Sequence, residues 1–238
     1  MLKKLIRRLV WREKADSQTF VAHLKKLGVQ IGADVDFYSP PHTMVDVSCP
    51  CLLTIGSHVR ITHGVIILTH DYAWSVIKGL PEQPGQILGA RSPVTIGNNV
   101  FIGMNAIITR GVTVGDHVII GAGSVVTGDC ESGWVYAGNP AKKLMTLEQY
   151  RQKREALQFD EAKALARSYR ARFGKNPPPE VFDEYFMLFC TAEDAASNPR
   201  FRFQMETGMG FEECVTYMEQ RKPRFRGFAA FLQACLEE

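Results

Sequence analysis

The sequence predicts a mainly β protein whose central part is a parallel β-helix, with helical segments before and after it. Three observations support this: large apolar residues recur every six positions in two blocks, glycine often follows them, and the spacing becomes helical towards the C-terminus. A six-residue period fits neither an amphipathic helix nor a plain strand alternation. We name these recurring positions the lead residues; they are Ile31, Phe37, Thr43, Cys49, Ile55, Ile61 and Ile67, then Ile96, Ile102, Ile108, Val114, Ile120 and Val126.

Residues 1–28 are predicted to form an N-terminal helical segment that stops at Gly28. Apolar residues in it follow helical spacing, and residues 1–30 carry eight Lys and Arg against two acidic residues. Two interpretations stay open for the basic start of this segment. It packs on the end of the β-helix, or it lies on an anionic lipid surface.

The β-helix is predicted over residues 29–145 as a three-sided prism. Three hexads make one coil of 18 residues, and coils stack about 4.8 Å apart through backbone hydrogen bonds. β-branched lead residues suit such a pleated, buried surface, and glycine at the corners permits tight turns. One coil cannot bury its own apolar face, so the coils are expected to depend on one another.

A loop of about residues 71–93 is predicted to interrupt the prism. The 29 residues from Ile67 to Ile96 are interpreted as one coil of 18 plus 11 inserted residues. The segment contains Gly79, Pro81 and Pro84, which do not continue a strand ladder. Long loops on rigid scaffolds often carry function, so this loop is the first place to look for a site.

Residues 146–238 are predicted to form a C-terminal α-helical extension. Helical spacing begins at Thr146 and ends at Gly174, and residues 176–179 read as a stiff, proline-rich linker. Further helices are expected at residues 180–196, 211–221 and 226–236. The sequence does not indicate what this extension does.

Composition bounds the protein class. The chain has 238 residues, 45% of them hydrophobic and 22% charged, and a formal net charge of +3. No run of apolar residues is long enough for a membrane span, and the start does not read as a secretory signal, so a cytoplasmic protein is expected. The six scattered cysteines fit reduced thiols. The positive charge is neither extended nor interleaved with aromatic residues, so nucleic acid is not an expected partner.

Four motifs resemble those of the hexapeptide-repeat acetyltransferase superfamily. The resemblance is to the maltose/galactoside acetyltransferase branch and to related O-acetyltransferases of polysaccharide biosynthesis. It implies a left-handed β-helix, a homotrimer, and acetyl-CoA bound in a cleft between neighbouring prisms. The motifs are residues 92–103 (SPVTIGNNVFIG), 111–116 (GVTVGD), 120–127 (IGAGSVVT) and 137–142 (AGNPAK).

His70 is the predicted catalytic residue. It stands where the prism breaks into the loop, and it matches the catalytic histidine of the family. The reaction needs a group that takes a proton from a hydroxyl as that oxygen attacks the thioester carbonyl. A neutral imidazole suits this task, because its pKa lies near the working pH.

Four residues are predicted to contact the acceptor. Asp71 is a candidate for this contact or for orienting the imidazole, although an Asp at the start of a loop is commonly a turn former. Tyr72 and Trp74 are candidates for stacking on a sugar ring, or they simply pack the loop. His63 is a further polar candidate. The family pattern tends to have Asn one position later, where this chain has Gly64.

Five residues are predicted to bind acetyl-CoA. The resemblance implies that Met104, Ala122 and Thr127 contact the pantetheine arm, mostly through the main chain. Lys142 matches a basic position of the family, with Lys143 beside it, and such cations suit the phosphates. The family often has a second basic residue where this chain has Gly128.

The predicted activity is acetyl-CoA-dependent O-acetyl transfer to a sugar or saccharide precursor, without a covalent acetyl-enzyme. A metal is not expected, because His58 and His63 are five residues apart but His117 falls more than two coils away. Two alternatives stay open: a non-catalytic β-helix scaffold, and an acyltransferase with an amine acceptor or another acyl donor. The enzyme is expected in the cytoplasm, and contact with the inner membrane face through the basic N-terminus is the open extension of that expectation.

Overall fold

The computed structural model describes residues 2–208 and 210–237 of the chain. The side chains of residues 2–5 and of Arg8 are not described, so part of the predicted basic N-terminus lies outside the described residues. The chain divides into two compact units, Met1–Tyr150 and Arg151–Glu238. We refer to them as the prism unit and the helical unit.

Short parallel strands build the prism unit, each two or three residues long until the chain leaves the prism. In chain order they are β1 (Gln30–Ile31), β2 (Asp36–Phe37), β3 (Met44–Val45), β4 (Leu53–Ile55), β5 (Arg60–Ile61), β6 (Ile66–Ile67), β7 (Val94–Ile96), β8 (Val100–Ile102), β9 (Ile107–Ile108), β10 (Thr113–Val114), β11 (Val118–Ile120) and β12 (Val125–Val126).

Each turn of the chain adds one strand to each of three sheets. The first sheet has the order β1-β4-β7-β10, the second contains β11-β8-β5-β2, and the third has the order β12-β9-β6-β3. Ile55 pairs with Ile96, Ile61 with Ile102, and Ile67 with Ile108 on the coil above. Their side chains are at most 1% exposed, so the interior is a column of stacked aliphatic residues. The predicted parallel β-helix is confirmed.

The first coil is longer than its period suggests. Ile31 pairs with Ile55 and Phe37 with Ile61, so these partners are 24 residues apart instead of 18. The residue that pairs with Ile67 is Val45, and the predicted lead residues Thr43 and Cys49 are not in strands. Proline-led 3₁₀ turns at Pro40–His42 and Pro50–Leu52 insert the additional residues at two corners. Because the additions total one hexad, the sequence period looks unbroken and the prediction of Thr43 and Cys49 is wrong.

The inserted loop is also longer than predicted. Ile67 belongs to the third sheet and Ile96 to the first, which are consecutive faces of the prism. Regular spacing would place them six residues apart, and they are 29 apart, so 23 residues are inserted and no additional coil is present. The interpretation as one coil plus 11 residues is therefore wrong. The loop contains one short helix, α3 (Trp74–Ile77).

Helices and a hairpin close the two ends of the prism. At the start, α1 (Leu2–Trp11) is followed by α2 (Ser17–Leu27), and Phe20 and Leu24 of α2 belong to the buried core of the prism. At the other end, β13 (Trp134–Gly138) pairs with β11 and folds back antiparallel onto β14 (Ala141–Thr146). The second helix thus packs on the prism, as one of the two interpretations of the N-terminus expected.

The helical unit is built around phenylalanine. Phe182, Phe186, Phe189, Phe201 and Phe231 are at most 4% exposed and contact one another. The helices of this part are α4 (Leu147–Phe173), which begins at the end of the prism unit, then α5 (Ala192–Ser197), α6 (Pro199–Glu206), α7 (Phe211–Glu219) and α8 (Phe228–Leu236).

Two helix predictions for this unit are wrong. Residues 180–196 form 3₁₀ turns at Pro179–Phe182 and Phe186–Leu188, and only α5 is helical near the end of that range. The helix α6 was not predicted, although Asn198 caps it and Pro199 occupies its first turn. In the described part of the chain, no helix is long and apolar enough to cross a membrane.

Candidate functional site

His70 lies at the corner that follows β6, where the loop leaves the prism. Arg91, at the end of the loop, forms an antiparallel bridge with His70, so both ends of the loop meet beside the imidazole. Only 16% of the His70 side chain is exposed. The ring is therefore fixed at the neck of the loop with limited access to solvent.

Asp46 orients the imidazole. It occupies the corresponding corner of the preceding coil, directly after β3, and its Oδ2 atom is 2.5 Å from Nδ1 of His70. The same oxygen accepts hydrogen bonds from the backbone N–H and the hydroxyl of Thr69, at 3.0 and 2.6 Å. Its other oxygen accepts the backbone N–H of Ser48 at 3.0 Å. These bonds hold the carboxylate in one place under the ring.

The charge of Asp46 fixes the state of its partner. Burial acts to raise the pKa of this carboxyl, but hydrogen bonds from Thr69, Ser48 and His70 outweigh it and hold the pKa well below the usual range. Asp46 is therefore ionised at neutral pH and accepts the N–H of Nδ1. That leaves Nε2 of a neutral imidazole with its lone pair as the acceptor of a proton.

Sequence reasoning missed Asp46. Once coils are stacked, an acid that ends the third strand of one coil falls directly below the histidine that ends the third strand of the next. The corrected pairing of Val45 with Ile67 would have indicated this contact. Orienting the imidazole was one of two roles considered for Asp71, and in the structure Asp46 occupies that position.

Asp71 instead binds within the loop and across to the next coil. Its Oδ2 atom lies 2.6 Å from Nε of Arg110, and its Oδ1 atom accepts the N–H of Ala73 at 3.0 Å. The hydrogen bond from Arg110 is the main reason that the pKa of Asp71 is lowered. The residue thus forms the turn that starts the loop, while its predicted contact with an acceptor stays a prediction.

The two aromatic residues of the loop lie next to the imidazole in sequence order. The edge of the Tyr72 ring faces His70 with 4.9 Å between ring centroids, and Trp74 follows at 6.1 Å from Tyr72. The Tyr72 side chain is 65% exposed. An exposed aromatic surface therefore adjoins the proposed base.

A cleft of about 360 Å³ opens beside His70. It brings together one predicted coenzyme residue, Thr127, with the predicted catalytic residue. Arg110 contributes a cation to the same cleft. Its lining is Leu68, His70, Asp71, Thr109, Arg110 and Thr127.

His63, Met104 and Ala122 gather at a different corner, the one that follows the second sheet. The N–H of Asn105 donates to the carbonyl of His63, and the N–H of Gly123 donates to the carbonyl of Met104. The third sheet separates this corner from the corner of His70. One chain alone therefore does not bring these three residues to the imidazole.

His63 has local partners. Its Nδ1 atom is 3.2 Å from Oγ of Ser39, and its ring lies 4.6 Å from that of His42. Gly64, where the family tends to have Asn, adopts a φ of +75°, and a Cβ there would meet the side chain of Asn105. The amide of Asn105 thus fills the space beside Gly64.

The two lysines of β14 differ in their surroundings. Lys143 forms an ion pair with Glu131 at 2.6 Å and lies over the ring of Trp134 at 4.0 Å from its centroid. Lys142 is exposed and forms no ion pair with a described residue. Of the two, Lys142 is the cation available for a phosphate. No group of three or more potential metal ligands occurs within residues 2–208 and 210–237.

Known proteins resemble this chain mainly in the prism unit. The family model of the bacterial transferase hexapeptide (six repeats) matches residues 93–128. Protein CapG of Staphylococcus aureus is 44% identical over 153 residues, which cover 64% of this chain and 83% of that protein. A 2,3,4,5-tetrahydropyridine-2,6-dicarboxylate N-acetyltransferase of Staphylococcus carnosus is 48% identical over 75 residues, 32% of this chain and 29% of that enzyme.

Among solved structures, a maltose O-acetyltransferase from Clostridium difficile 630 is similar with a TM-score of 0.41 and 28% identity, over 60% of this chain and 83% of that one. The match to CapG covers most of that relative, and the family model falls within the stacked coils. The chain therefore belongs to the hexapeptide-repeat acetyltransferases, whose left-handed parallel β-helix is the fold predicted from its motifs.

Proposed function

We propose that the protein transfers an acetyl group from acetyl-CoA to a hydroxyl of a sugar or saccharide precursor, with His70 as the general base. The observation that carries this proposal is the pair of His70 and Asp46 at the neck of the loop, beside a cleft. A scaffold without catalytic activity has no need for an ionised, nearly buried carboxylate under an imidazole, so the pair argues against that alternative.

The proposed reaction is a direct transfer. Asp46 holds the N–H of Nδ1, and Nε2 takes the proton of the acceptor hydroxyl while its oxygen attacks the thioester carbonyl. A C–O bond forms, the C–S bond breaks, and the proton on Nε2 passes to the departing sulfur. The buried thiol of Cys130 does not suit a covalent intermediate, because burial raises its pKa to about 12.

The residues proposed for acetyl-CoA lie on two corners of the prism. Thr127 lies in the cleft with His70, whereas Met104 and Ala122 lie across the third sheet. A site that needs both corners is completed if the second corner comes from a neighbouring subunit. Lys142 is the proposed phosphate contact, and the engaged Lys143 is a weaker candidate.

A homotrimer is therefore part of the proposal. The outward residues of the third sheet form an apolar row of Met44, Ile66, Ile107 and Val125. The matching row on the first sheet is polar, with Gln30, Thr54, Thr95 and Thr113. An apolar row beside a polar one is typical of a subunit interface. Sedimentation velocity tests this part: a trimer is expected, and a monomer at micromolar concentration contradicts it.

The acceptor is proposed from the loop. Tyr72 presents an exposed ring beside His70, and such rings suit the apolar face of a sugar. An amine acceptor is the second candidate, because the S. carnosus relative is named as an N-acetyltransferase. The chain spans only 29% of that enzyme, so the likeness covers the prism repeats and little else.

The proposed location is the cytoplasm, where acetyl-CoA is made, with α1 near the inner membrane face. Ile6, Leu9 and Val10 are 52%, 72% and 64% exposed and share one face of α1, with the cationic Arg7 between them in sequence. Sedimentation with anionic liposomes tests this contact. Leu9→Glu is expected to reduce binding, and equal binding of the variant and the wild type contradicts it.

The central experiment follows release of CoA thiol with sugar and amine acceptors and identifies products by mass spectrometry. With a sugar acceptor, His70→Ala is expected to lower kcat by about 10²–10⁴-fold, the usual contribution of a general base. Full activity in His70→Ala removes the proposed mechanism. Products acetylated only on nitrogen select the amine alternative, and inertness towards every acceptor favours the scaffold.

A further inference from the structure

The helical unit contains a cleft of about 830 Å³, more than twice the volume of the cleft beside His70. Side chains from one face of α4, from the 3₁₀ region around Leu188, and from the segment after α7 line it. Five of them are cations, and we name the site the basic cleft by these five: Arg151, Arg154, Arg221, Lys222 and Arg224.

The carboxylates of the basic cleft do not balance its cations. Glu155 and Glu184 are its two acidic lining residues. Glu155 binds Arg151 at 2.8 Å and lies 3.8 Å from Arg221. Outside the lining, Glu161 binds Arg154 through both guanidinium nitrogens. An excess of positive charge remains after these pairs, and Lys222 forms no ion pair with any residue that the structure describes.

Two of the arginines are held against aromatic rings. The guanidinium of Arg221 lies 4.6 Å from the ring centroid of Tyr217, and that of Arg224 lies 4.4 Å from that of Phe159. A guanidinium that stacks by its face keeps its N–H groups in the plane, free to bind two anionic oxygens at once. Such stacking also reduces the entropy that the side chain loses when a ligand binds.

The rest of the lining is apolar. Leu188, Cys190 and Met218 are 7–8% exposed and form part of the wall. Exposed cations on a helical protein usually point into water and serve solubility alone. Here they converge from separate segments on one concave, partly apolar site, which is the usual design of a site for a small molecule with an anionic group.

We propose that the basic cleft binds a diphosphate ester of a saccharide. A diphosphate has enough negative charge to match several cations, and its oxygens fit the two guanidinium groups. The volume is ordinary for a ligand of nucleotide-sugar size. Two sources carry this chemistry: a soluble nucleoside diphosphate sugar and a lipid-linked glycosyl diphosphate. The proposal is independent of the chemistry at His70.

Calorimetric titration of the full-length protein tests the proposal. The probes are UDP-glucose, inorganic phosphate, phosphatidylcholine vesicles with a polyprenyl diphosphate sugar, and phosphatidylglycerol vesicles without a diphosphate. UDP-glucose or the lipid-linked sugar is expected to bind at least about tenfold more tightly than phosphate, and which of the two binds identifies the source. The affinity is expected to fall as salt is raised.

Charge reversal locates the binding. Lys222→Glu and Arg221→Glu are each expected to weaken it by about tenfold or more, because each replaces an attraction with a repulsion. Lys175→Glu is the matched control, an exposed lysine outside the cleft, and it is expected to stay within about twofold of the wild type. Lys142→Glu, which alters the proposed coenzyme contact in the prism unit, is expected to leave this affinity unchanged. Circular dichroism verifies that each variant is folded.

Three results overturn the proposal. One is that neither diphosphate ester binds more tightly than phosphate. Another is that the Lys222 and Arg221 variants bind as the wild type does, or that Lys175→Glu or Lys142→Glu is equally impaired. The last is that phosphatidylglycerol vesicles bind as tightly as the diphosphate probes, which assigns the surface to lipid headgroups.

Discussion

The two units of this protein are stabilised by cores of different kinds. In the prism unit, one aliphatic residue from each strand stacks on its equivalent in the next coil, as Ile61 does on Ile102. In the helical unit, phenylalanines from separate segments meet around Phe231, with several ring geometries. A repeated core is written in the sequence as a period, whereas a mixed aromatic core leaves no periodic trace. The four changes that follow probe this difference.

The largest loss of stability is expected from Phe231→Ala. Phe231 is fully buried and contacts several other rings, and truncation of such a residue costs about 3–5 kcal/mol of unfolding free energy. Phe203→Ala, at a side chain 65% exposed, is the control and is expected to change little. Denaturant unfolding measures both, and hydrogen exchange is expected to show lost protection in the helical unit with β8 unaffected. Equal effects of the two variants contradict an aromatic core centred on Phe231.

Ile102→Ala tests the stacked core. Ile102 is fully buried between Ile61 and Ile120, so its truncation is expected to cost about 2–5 kcal/mol. Phe101, its neighbour in β8, points to the opposite side and is 41% exposed. Phe101→Ala is therefore expected to cost much less in thermal unfolding. A larger effect at Phe101 would mean that the alternation of β8 is reversed.

Gly103→Ala tests how closely the coils stack. A Cβ at Gly103 would lie 2.5 Å from the backbone nitrogen of Ala122, so the backbone must shift, at a cost of about 1–3 kcal/mol. At Gly128 a Cβ would meet nothing within 4 Å, and Gly128→Ala is expected to be neutral or slightly stabilising. Thermal unfolding compares the two. If they have the same effect, the spacing of the coils is looser than described.

Asp46→Asn is expected to give a smaller loss that depends on pH. The amide cannot serve all the donors that Asp46 accepts from, so about 1–3 kcal/mol of stability is lost at neutral pH. Because the pKa of Asp46 is lowered on folding, its contribution is present above the ordinary carboxyl pKa of about 4 and declines as the pH falls below it. The gap between wild type and variant should therefore narrow in acid.

Asp71→Asn is the control for that change. The ion pair of Asp71 with Arg110 is about 40% exposed on both sides, and such pairs contribute about 0–1 kcal/mol. Urea unfolding at several pH values measures both variants. A gap for Asp46→Asn that stays constant down to pH 2 contradicts the assignment of a lowered pKa.

The sequence was a good guide wherever the structure repeats itself. Strand positions from Ile55 to Ile67 and from Ile96 to Val126 follow from the period, because each coil imposes the same spacing on the next. The period misled only where insertions added up to a whole hexad, as at Thr43 and Cys49. Stiff proline turns at those corners were the available sign.

Non-repeating features were harder to predict. In residues 180–196 the packing of Phe182, Phe186 and Phe189 overrides helical propensity and leaves 3₁₀ turns. Asp46 is 24 residues before His70, and its contact depends on the stacking of coils, which only the strand pairing reveals. The histidine itself was visible because it coincides with the break in the period.

The dependence of kcat/KM on pH in the wild type, His70→Ala, Asp46→Asn and Asp71→Asn tests the account most directly. We expect kcat/KM of the wild type to fall in acid through one ionisation that is absent in His70→Ala. Asp46→Asn should lower kcat/KM by at least about tenfold, because the imidazole loses its fixed tautomer, whereas Asp71→Asn should stay closer to the wild type. An acid limb that survives unchanged in His70→Ala, or equal losses in the two aspartate variants, would contradict a base held by Asp46.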